Sequence, residues 1–357
     1  MRVLHVHKLT GVGGSERHLL TLLPALRERG IDARFLGLDV PGSDADRFYR
    51  ELGAPAARVR CGPDVSPRMA RDVVRAVRAE RPDLLHTHLV HGDLYGALAA
   101  ALTGTPFLST RHNDDRYLLG PFRFVDRAFA GRARRLIAIS DAVRAFLERV
   151  GHDPAKLVTI HYGLDELPAA ASEVTPAEAG VPQGVPLVLA VGRLTQQKDH
   201  PTALRAFAAA GHPEARLAIL GIGPLEAETR ALATELGISD RVVLPGRLEL
   251  RDWLERADVF LHSSQWEGFG MVLLEAMLAG LPVVATRVSA VPEVVADGES
   301  GTLVEAGDWQ AAAAALDRYL SEPELARETG EAGLRRARDH FSVARMVDRT
   351  VGLYRSS

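Results

Sequence analysis

Ser264–Glu305, SQWEGFGMVLLEAMLAGLPVVATRVSAVPEVVADGESGTLVE, is the stretch whose reading decides the fold. Glu267 and Glu275 bracket seven residues, Gly268 to Leu274, across a turn that feeds an apolar helix. Gly268 and Gly270 let the backbone turn where a side chain would obstruct it. Met271 to Leu278 reads as a mostly buried helix, stopped by Gly280 and Pro282. The apolar run PVVA then has the look of a buried parallel strand. Glu275 is therefore expected near a helix N-terminus, at the sheet end where α/β proteins bind ligands.

The rest of the chain repeats this grammar. Arg2 to His7 reads as a first strand, followed by the loop Gly11-Val12-Gly13-Gly14 and a helix over Glu16–Arg29 with Ser15 as its cap. Pro24 inside that helix predicts a kink. The loop is not a dinucleotide fingerprint, because the third glycine would fall on Glu16. IDARFLGL, AARVR, Asp83–His88, Pro106–Thr110, RRLIAIS and LVTIHYG continue as strands, with a helix over Arg71–Ala79 and another capped by Asp141. After the proline-rich stretch 166–186 the alternation restarts in LVLAVGR, RLAILGIG, RVVLPGR, DVFLHSS, PVVATRV and GTLVE. Strands separated by helices argue for parallel sheets covered on both faces. We therefore expect an α/β protein of two facing Rossmann-like, doubly wound domains: 1–165, a linker at 166–186, 187–340, and a last helix over 341–357. That helix carries one apolar stripe, Val343, Met346, Val347, Val351 and Tyr354, and must bury it.

Composition bounds the function. At 357 residues, with 46% hydrophobic and 25% charged content, the chain is of ordinary globular make-up. No run approaches the roughly 20 apolar residues of a membrane span. MRVLHVHKL lacks the long apolar core of an export signal. The single cysteine, Cys61, fits a reducing compartment and reads as a packing residue. The expected location is cytoplasmic. The net charge of −3 hides a basic half, +6 over residues 1–165, and an acidic remainder. Arg71, Arg75 and Arg78 share one helical face, either an ordinary solvated surface or a docking face for acidic headgroups at the inner membrane. Nothing suggests nucleic acid.

Arg193 ends a strand and Lys198 follows just before a helix that Asp199 could cap, a pairing suited to a diphosphate. Gly221 and Gly223 close another strand end and would let the chain pass near a ligand. Pro292-Glu293 lies in the next loop. In the N-terminal half His86 and His88 alternate on one strand face, with His5, His7, His91 and His112 elsewhere. Their spacing matches no zinc arrangement, and no metal is expected. His112, in a polar loop after a strand, could position a sugar hydroxyl or accept a proton.

VGRLTQQKDH, GIGP, ADVFLHSSQWEGFGMVLLEAMLAGLPVVAT and VPEVVADGESGTLVE resemble the C-terminal half of family-4 glycosyltransferases with the GT-B fold. GVGGSERHLLTLLPALRERG, DLLHTHLVHGD and RRLIAISDAVRAFL resemble the N-terminal half. The resemblance implies retaining, metal-independent transfer from a UDP- or GDP-sugar to a hydroxyl acceptor, which could be lipid-linked, a glycan or a natural product. It implies Glu275 on the donor ribose, Glu267 on a sugar hydroxyl, and Arg193 and Lys198 on the departing diphosphate. Gly13, Gly14, Gly221, Gly223, Phe269, Gly270, Met271 and Val272 would complete the donor site. Gly13, His88 and His112 would face the acceptor, and the last helix would cross back to the N-terminal domain. Glu267, His112, Arg193 and Lys198 are the expected catalytic set. Two departures stand out: Ser289-Ala290 where many members have Gly-Gly, and Tyr162-Gly163 where many have Asn-Gly. A sugar-nucleotide epimerase on the same fold and a non-catalytic sugar-binding protein are the alternatives.

Overall fold

The computed structural model describes residues 1–11, 13–62, 66–167 and 172–356. Val12 of the glycine loop, 168–171 of the expected linker and Ser357 lie outside them. The chain divides into two compact units, Met1–Gly163 with Ser342–Ser357, and Leu164–Phe341.

The first unit runs β1 (Arg2–Leu9), α1 (Gly14–Glu28), β2 (Asp32–Asp39), α2 (Ala45–Leu52), β3 (Ala56–Arg60), α3 (Pro67–Glu80), β4 (Leu84–His88), α4 (Leu89–Thr103), β5 (Phe107–Arg111), α5 (Phe122–Ala130), β6 (Leu136–Ala138), α6 (Asp141–Val150) and β7 (Leu157–Thr159). The second runs β8 (Leu187–Val191), α7 (His200–Ala209), β9 (Arg216–Leu220), α8 (Glu226–Glu235), β10 (Val242–Gly246), α9 (Arg251–Arg256), β11 (Val259–His262), α10 (Met271–Leu278), β12 (Val283–Thr286), α11 (Val291–Val294), β13 (Thr302–Val304), α12 (Trp309–Ser321) and α13 (Pro323–His340). The closing helix α14 (Val343–Arg355) belongs to the first unit.

Both sheets are parallel, ordered β3-β2-β1-β4-β5-β6-β7 and β10-β9-β8-β11-β12-β13. In each, the order reverses beside the first strand of the unit, the switch point where such sheets open a crevice at their carboxyl ends. Short βα loops and apolar strands force this layering, since inner strands such as β4, β5 and β11 bury both faces.

In the first unit one sheet face changes character along the strands. Val3, Leu84, Leu108 and Ile137 start it as an apolar floor, packed with α1 residues such as Leu19 and Leu22 and with Met346, Val347 and Val351 of α14. Toward the carboxyl ends the same face becomes polar: His5 pairs in register with His86, and His7 with His88. Thr110 pairs with His88 on the far side. The apolar stripe of α14 is thus buried on the first unit's sheet.

Several local readings are corrected. Gly13, not Ser15, is the N-cap of α1, because Glu16 folds back to accept its N–H at 3.0 Å. The helix runs through Pro24 without interruption. Ser140, not Asp141, caps α6, its Oγ accepting from the Val143 N–H. Asp199 sits at the N-cap position of α7 without capping through its side chain; its Oδ2 accepts from the Thr202 hydroxyl instead. The helix expected at Arg71–Ala79 starts four residues earlier, at Pro67 behind the cap Ser66. Much of the stretch expected as a linker packs on the second unit: Trp253 Nε1 donates to Val174 O, and Arg256 donates to the carbonyls of Pro182 and Val185.

Candidate functional site

The second unit gathers charge where β8 and β11 end. Lys198 Nζ lies 2.5 Å from Glu267 Oε2, with both side chains 14% exposed. His262, the last residue of β11, places Nε2 3.3 Å from the same oxygen. Burial opposes the Glu267 charge, but Lys198 and His262 outweigh it and hold the carboxyl well below the usual range. The two loops are laced together: Gln265 N–H donates to Gln197 O, Gln197 Nε2 to Trp266 O, and Ser263 Oγ to Lys198 O. Arg193 stands exposed on the β8–α7 loop. Beside it, Thr195 Oγ1 and His200 Nδ1 are buried with no hydrogen-bond partner among the described residues. Burial lowers His200 to about 4, so it stays neutral.

Across the turn, Gly270 caps α10 in the left-handed region at φ +91. Met271 and Val272 begin that helix, and their N–H groups are among those a helix start leaves free. Glu275 sits one turn in and is buried. Phe269 does not line an open site through its ring, which is 2% exposed and edge-on to Phe341 at 5.6 Å between centroids. Gly221 and Gly223 also differ from expectation. A Cβ at Gly221 would meet Gly192 O at 2.0 Å, and one at Gly223 would meet Leu194 O at 2.3 Å. Both glycines make room for the protein's own β8–α7 loop. Ser289 is held at φ +43, a left-handed backbone. Ala290 is fully buried.

In the first unit the glycine loop, β1, β4 and β5 converge on a cluster of imidazoles. His112 is buried, with Nε2 3.0 Å from His88 Nδ1 and Nδ1 hydrogen-bonded to the Tyr162 hydroxyl. Both its ring nitrogens are engaged inside the unit. His88 Nε2 continues to His5 Nδ1 at 3.0 Å. His86 joins Thr110 Oγ1 at 2.7 Å and Tyr354 Oη at 2.6 Å. His18 stacks on Tyr162 at 4.3 Å, and His7 Nε2 meets Glu16 Oε1 at 3.2 Å. Burial opposes the Glu16 charge, but the bonds from His7 and the Gly13 N–H outweigh it and lower its pKa. Gly14 is the first residue of α1. Burial, reinforced by neighbouring rings, holds His5, His88 and His112 well below the imidazole range, and His86 and His18 fall to about 3. All five are neutral.

The ring nitrogens of His5, His86 and His88 lie within 4.8 Å of one another, close enough to consider a metal. The rings nevertheless stack: His86 on His88 at 28° and 4.3 Å, His5 on His88 at 14° and 5.3 Å. Imidazole lone pairs lie in the ring plane, so near-parallel rings do not aim at one centre. They aim into hydrogen bonds. On the other face of the sheet, Arg111 is buried between Asp93 Oδ2 at 2.9 Å and Asp126 Oδ1 at 2.6 Å, and His152 Nε2 bonds Asp126 Oδ2 at 2.7 Å. This network fixes the end of β5 from which His112 follows.

Sequence reasoning missed Glu16 as the capping partner of Gly13, His262 as a neighbour of Glu267, and the roles of His18 and Tyr354. The signals were present in part: alternate histidines on β1 and β4, and Glu16 three residues after Gly13.

Residues 172–336 match the family described as glycosyl transferases group 1, and residues 12–166 match glycosyltransferase family 4. Among curated relatives, the alpha-maltose-1-phosphate synthase of Mycobacterium tuberculosis is 31% identical, covering 96% of this chain and 95% of its own length. The N-acetyl-alpha-D-glucosaminyl L-malate synthase of Bacillus anthracis is 27% identical over 96% of this chain and 94% of its own. Among solved structures, Anabaena Alr3699/HepE in complex with UDP and glucose superposes with a TM-score of 0.86 at 22% identity, covering all of both chains. The paired sheets are thus those of the GT-B fold. Matched in both halves and along nearly its whole length, the chain belongs to glycosyltransferase family 4 and is a glycosyltransferase.

Proposed function

We propose that the enzyme moves a sugar from a UDP- or GDP-sugar to a hydroxyl acceptor, keeps the anomeric configuration, and needs no metal. The observation that carries this reading is the Lys198–Glu267 pair at the carboxyl end of β8 and β11. Lys198 and Arg193 offer two cations for a diphosphate, and the start of α10 adds free N–H groups. Thr195 Oγ1 and His200 Nδ1 are further polar atoms awaiting a partner there. The ionised Glu267 takes a donor-sugar hydroxyl, and Glu275 takes the ribose. The bond from the anomeric carbon to the diphosphate breaks as the acceptor oxygen attacks the same face. The acceptor proton passes to the leaving phosphate, whose growing charge the two cations stabilise. The ligands named for the relatives, UDP and glucose among them, support a nucleotide-sugar donor.

On the first unit, Gly13, His88 and His112 are assigned to the acceptor side. The cationic face of α3 favours an acceptor at an anionic lipid surface. A groove of about 450 Å³ there joins Arg71, Arg75 and Arg78 to apolar Val74, Leu98 and Leu102. Salt-sensitive flotation with anionic vesicles is the expected result, and its absence would remove the lipid surface from this reading.

Transfer assays with UDP- and GDP-sugars, with and without EDTA, test the main proposal. Product anomers are read by NMR. Arg193→Ala, Lys198→Ala and Glu267→Ala should each lower the rate by about 100-fold or more. Full activity in Arg193→Ala, an inverted product, or strict dependence on a divalent ion would overturn the assignment.

A further inference from the structure

Seven buried polar side chains lie along one string of hydrogen bonds through the first unit. It runs from Thr110 Oγ1 to His86, from His86 Nδ1 to Tyr354 Oη, and from Tyr354 Oη to His5 Nε2 at 3.3 Å. From His5 Nδ1 it passes to His88 Nε2, from His88 Nδ1 to His112 Nε2, and from His112 Nδ1 to Tyr162 Oη. Every member is at most 9% exposed. One of them, Tyr354, comes from α14, 349 residues away from its partner His5. Another, Tyr162, lies in the segment that follows β7.

A neutral imidazole has one N–H and one bare nitrogen, and a phenol donates once. In such a string each link therefore dictates the next. If Tyr162 donates to His112 Nδ1, then His112, His88 and His5 must each donate from Nε2. Tyr354 then donates to His86 Nδ1, and His86 donates from Nε2 to Thr110. The only other arrangement reverses every bond and places every proton on Nδ1. A mixed arrangement leaves two lone pairs or two N–H groups face to face or, where the string turns at Tyr354, a phenol O–H with no acceptor, which is costly in a dry interior.

We propose that this string is a tautomeric relay, through which Tyr354 of the last helix fixes which ring nitrogen of His112 carries its hydrogen. Tyr354 is accordingly a positioning residue for His112. The consequence for catalysis rests on the reading that His112 serves the transfer site; the relay itself does not. A single common direction lets His112 present a defined donor or acceptor when a substrate displaces one of its two partners. Reversing the string exchanges the two nitrogens' roles without moving a heavy atom.

The test uses the full chain with 15N-labelled histidine, in spectra that distinguish protonated from bare ring nitrogens. His5, His86, His88 and His112 should share one tautomer at neutral pH, all Nδ1–H or all Nε2–H. A mixture of fixed tautomers among the four would overturn the relay. Tyr354→Phe removes a single oxygen and should alter the His112 nitrogen signals; unchanged signals would overturn the proposal. Should that variant not fold, Thr110→Val breaks the string at its other end, and Thr110→Ser should restore the wild-type signals. Failure of Thr110→Val to disturb His112 would count against the relay equally. In the folded Tyr354→Phe enzyme, kcat should fall at least about tenfold with the donor KM little changed. Normal turnover beside altered His112 signals would leave the relay standing and overturn the role of His112 in transfer.

Discussion

At the residue scale, the site of the second unit depends on charges that stabilise one another. Glu267 is depressed by Lys198 and His262, so its contribution to stability is present above the unfolded carboxyl value of 4.5 and is lost as pH falls toward the depressed folded value. Lys198→Ala leaves that carboxylate without its cation and should cost about 2–3 kcal/mol in denaturant unfolding at pH 7. The loss should shrink at low pH, once the Glu267 carboxyl of the variant, no longer held down by Lys198, takes up a proton in the folded chain. Ser289→Gly works the other way. At φ +43 the serine side chain crowds its own carbonyl, so glycine should stabilise by about 0.5–1 kcal/mol, read from the urea midpoint. Glu267, Lys198 and Arg193 were legible in the sequence because charged residues at strand ends have few structural reasons to be there. Phe269, Gly221 and Gly223 each have a packing reason that the sequence does not separate from a donor contact. A buried ring and a ligand contact look alike in one dimension, and so do a glycine beside a ligand and a glycine beside another loop.

At the scale of elements, alternation of apolar runs with helical periods announced both sheets, and the strand starts agree to within a residue or two, while LVTIHYG and RLAILGIG run on past the ends of β7 and β9. The caps were less legible, since Ser, Asp and Gly compete for one position and Glu16 decides the matter for α1 only after folding back. Among the described residues, three of the four non-glycine residues with positive φ, Leu89, Asp199 and Ser289, lie beyond strand ends, where backbone strain gathers at functional loops. The packing of α13 on α10 was invisible in sequence, yet it turns on one atom. A Cβ at Gly330 would meet Gly280 O at 1.9 Å, and both atoms belong to stiff backbone. Gly330→Ala should therefore destabilise by about 2–3 kcal/mol, measured as a lowered denaturation midpoint with the slope unchanged.

At the scale of the whole molecule, the cluster of buried imidazoles gives the first unit a predictable response to acid. His18 and His86 drop to about 3 from 6.5, so the unfolded chain binds the extra protons. The stability they supply is complete above pH 6.5 and is lost as pH falls toward 3. The urea midpoint should fall between pH 7 and pH 5, and a flat profile would show those rings protonated in the native state. Removing residues 342–357 should abolish hydrogen-exchange protection in β1, β4 and α1 while β8 and β11 keep theirs, because α14 completes only the first core. That α14 would bury its stripe could be expected from the sequence, and its return to the first unit from the resemblance; that it would carry a buried phenol into a histidine string could not, because contacts across 349 residues leave no local mark. This arrangement inverts the order of birth on the ribosome. The second unit is one continuous segment and can close as soon as it emerges. The first unit, though synthesised earlier, must wait with part of one sheet face uncovered until α14 emerges.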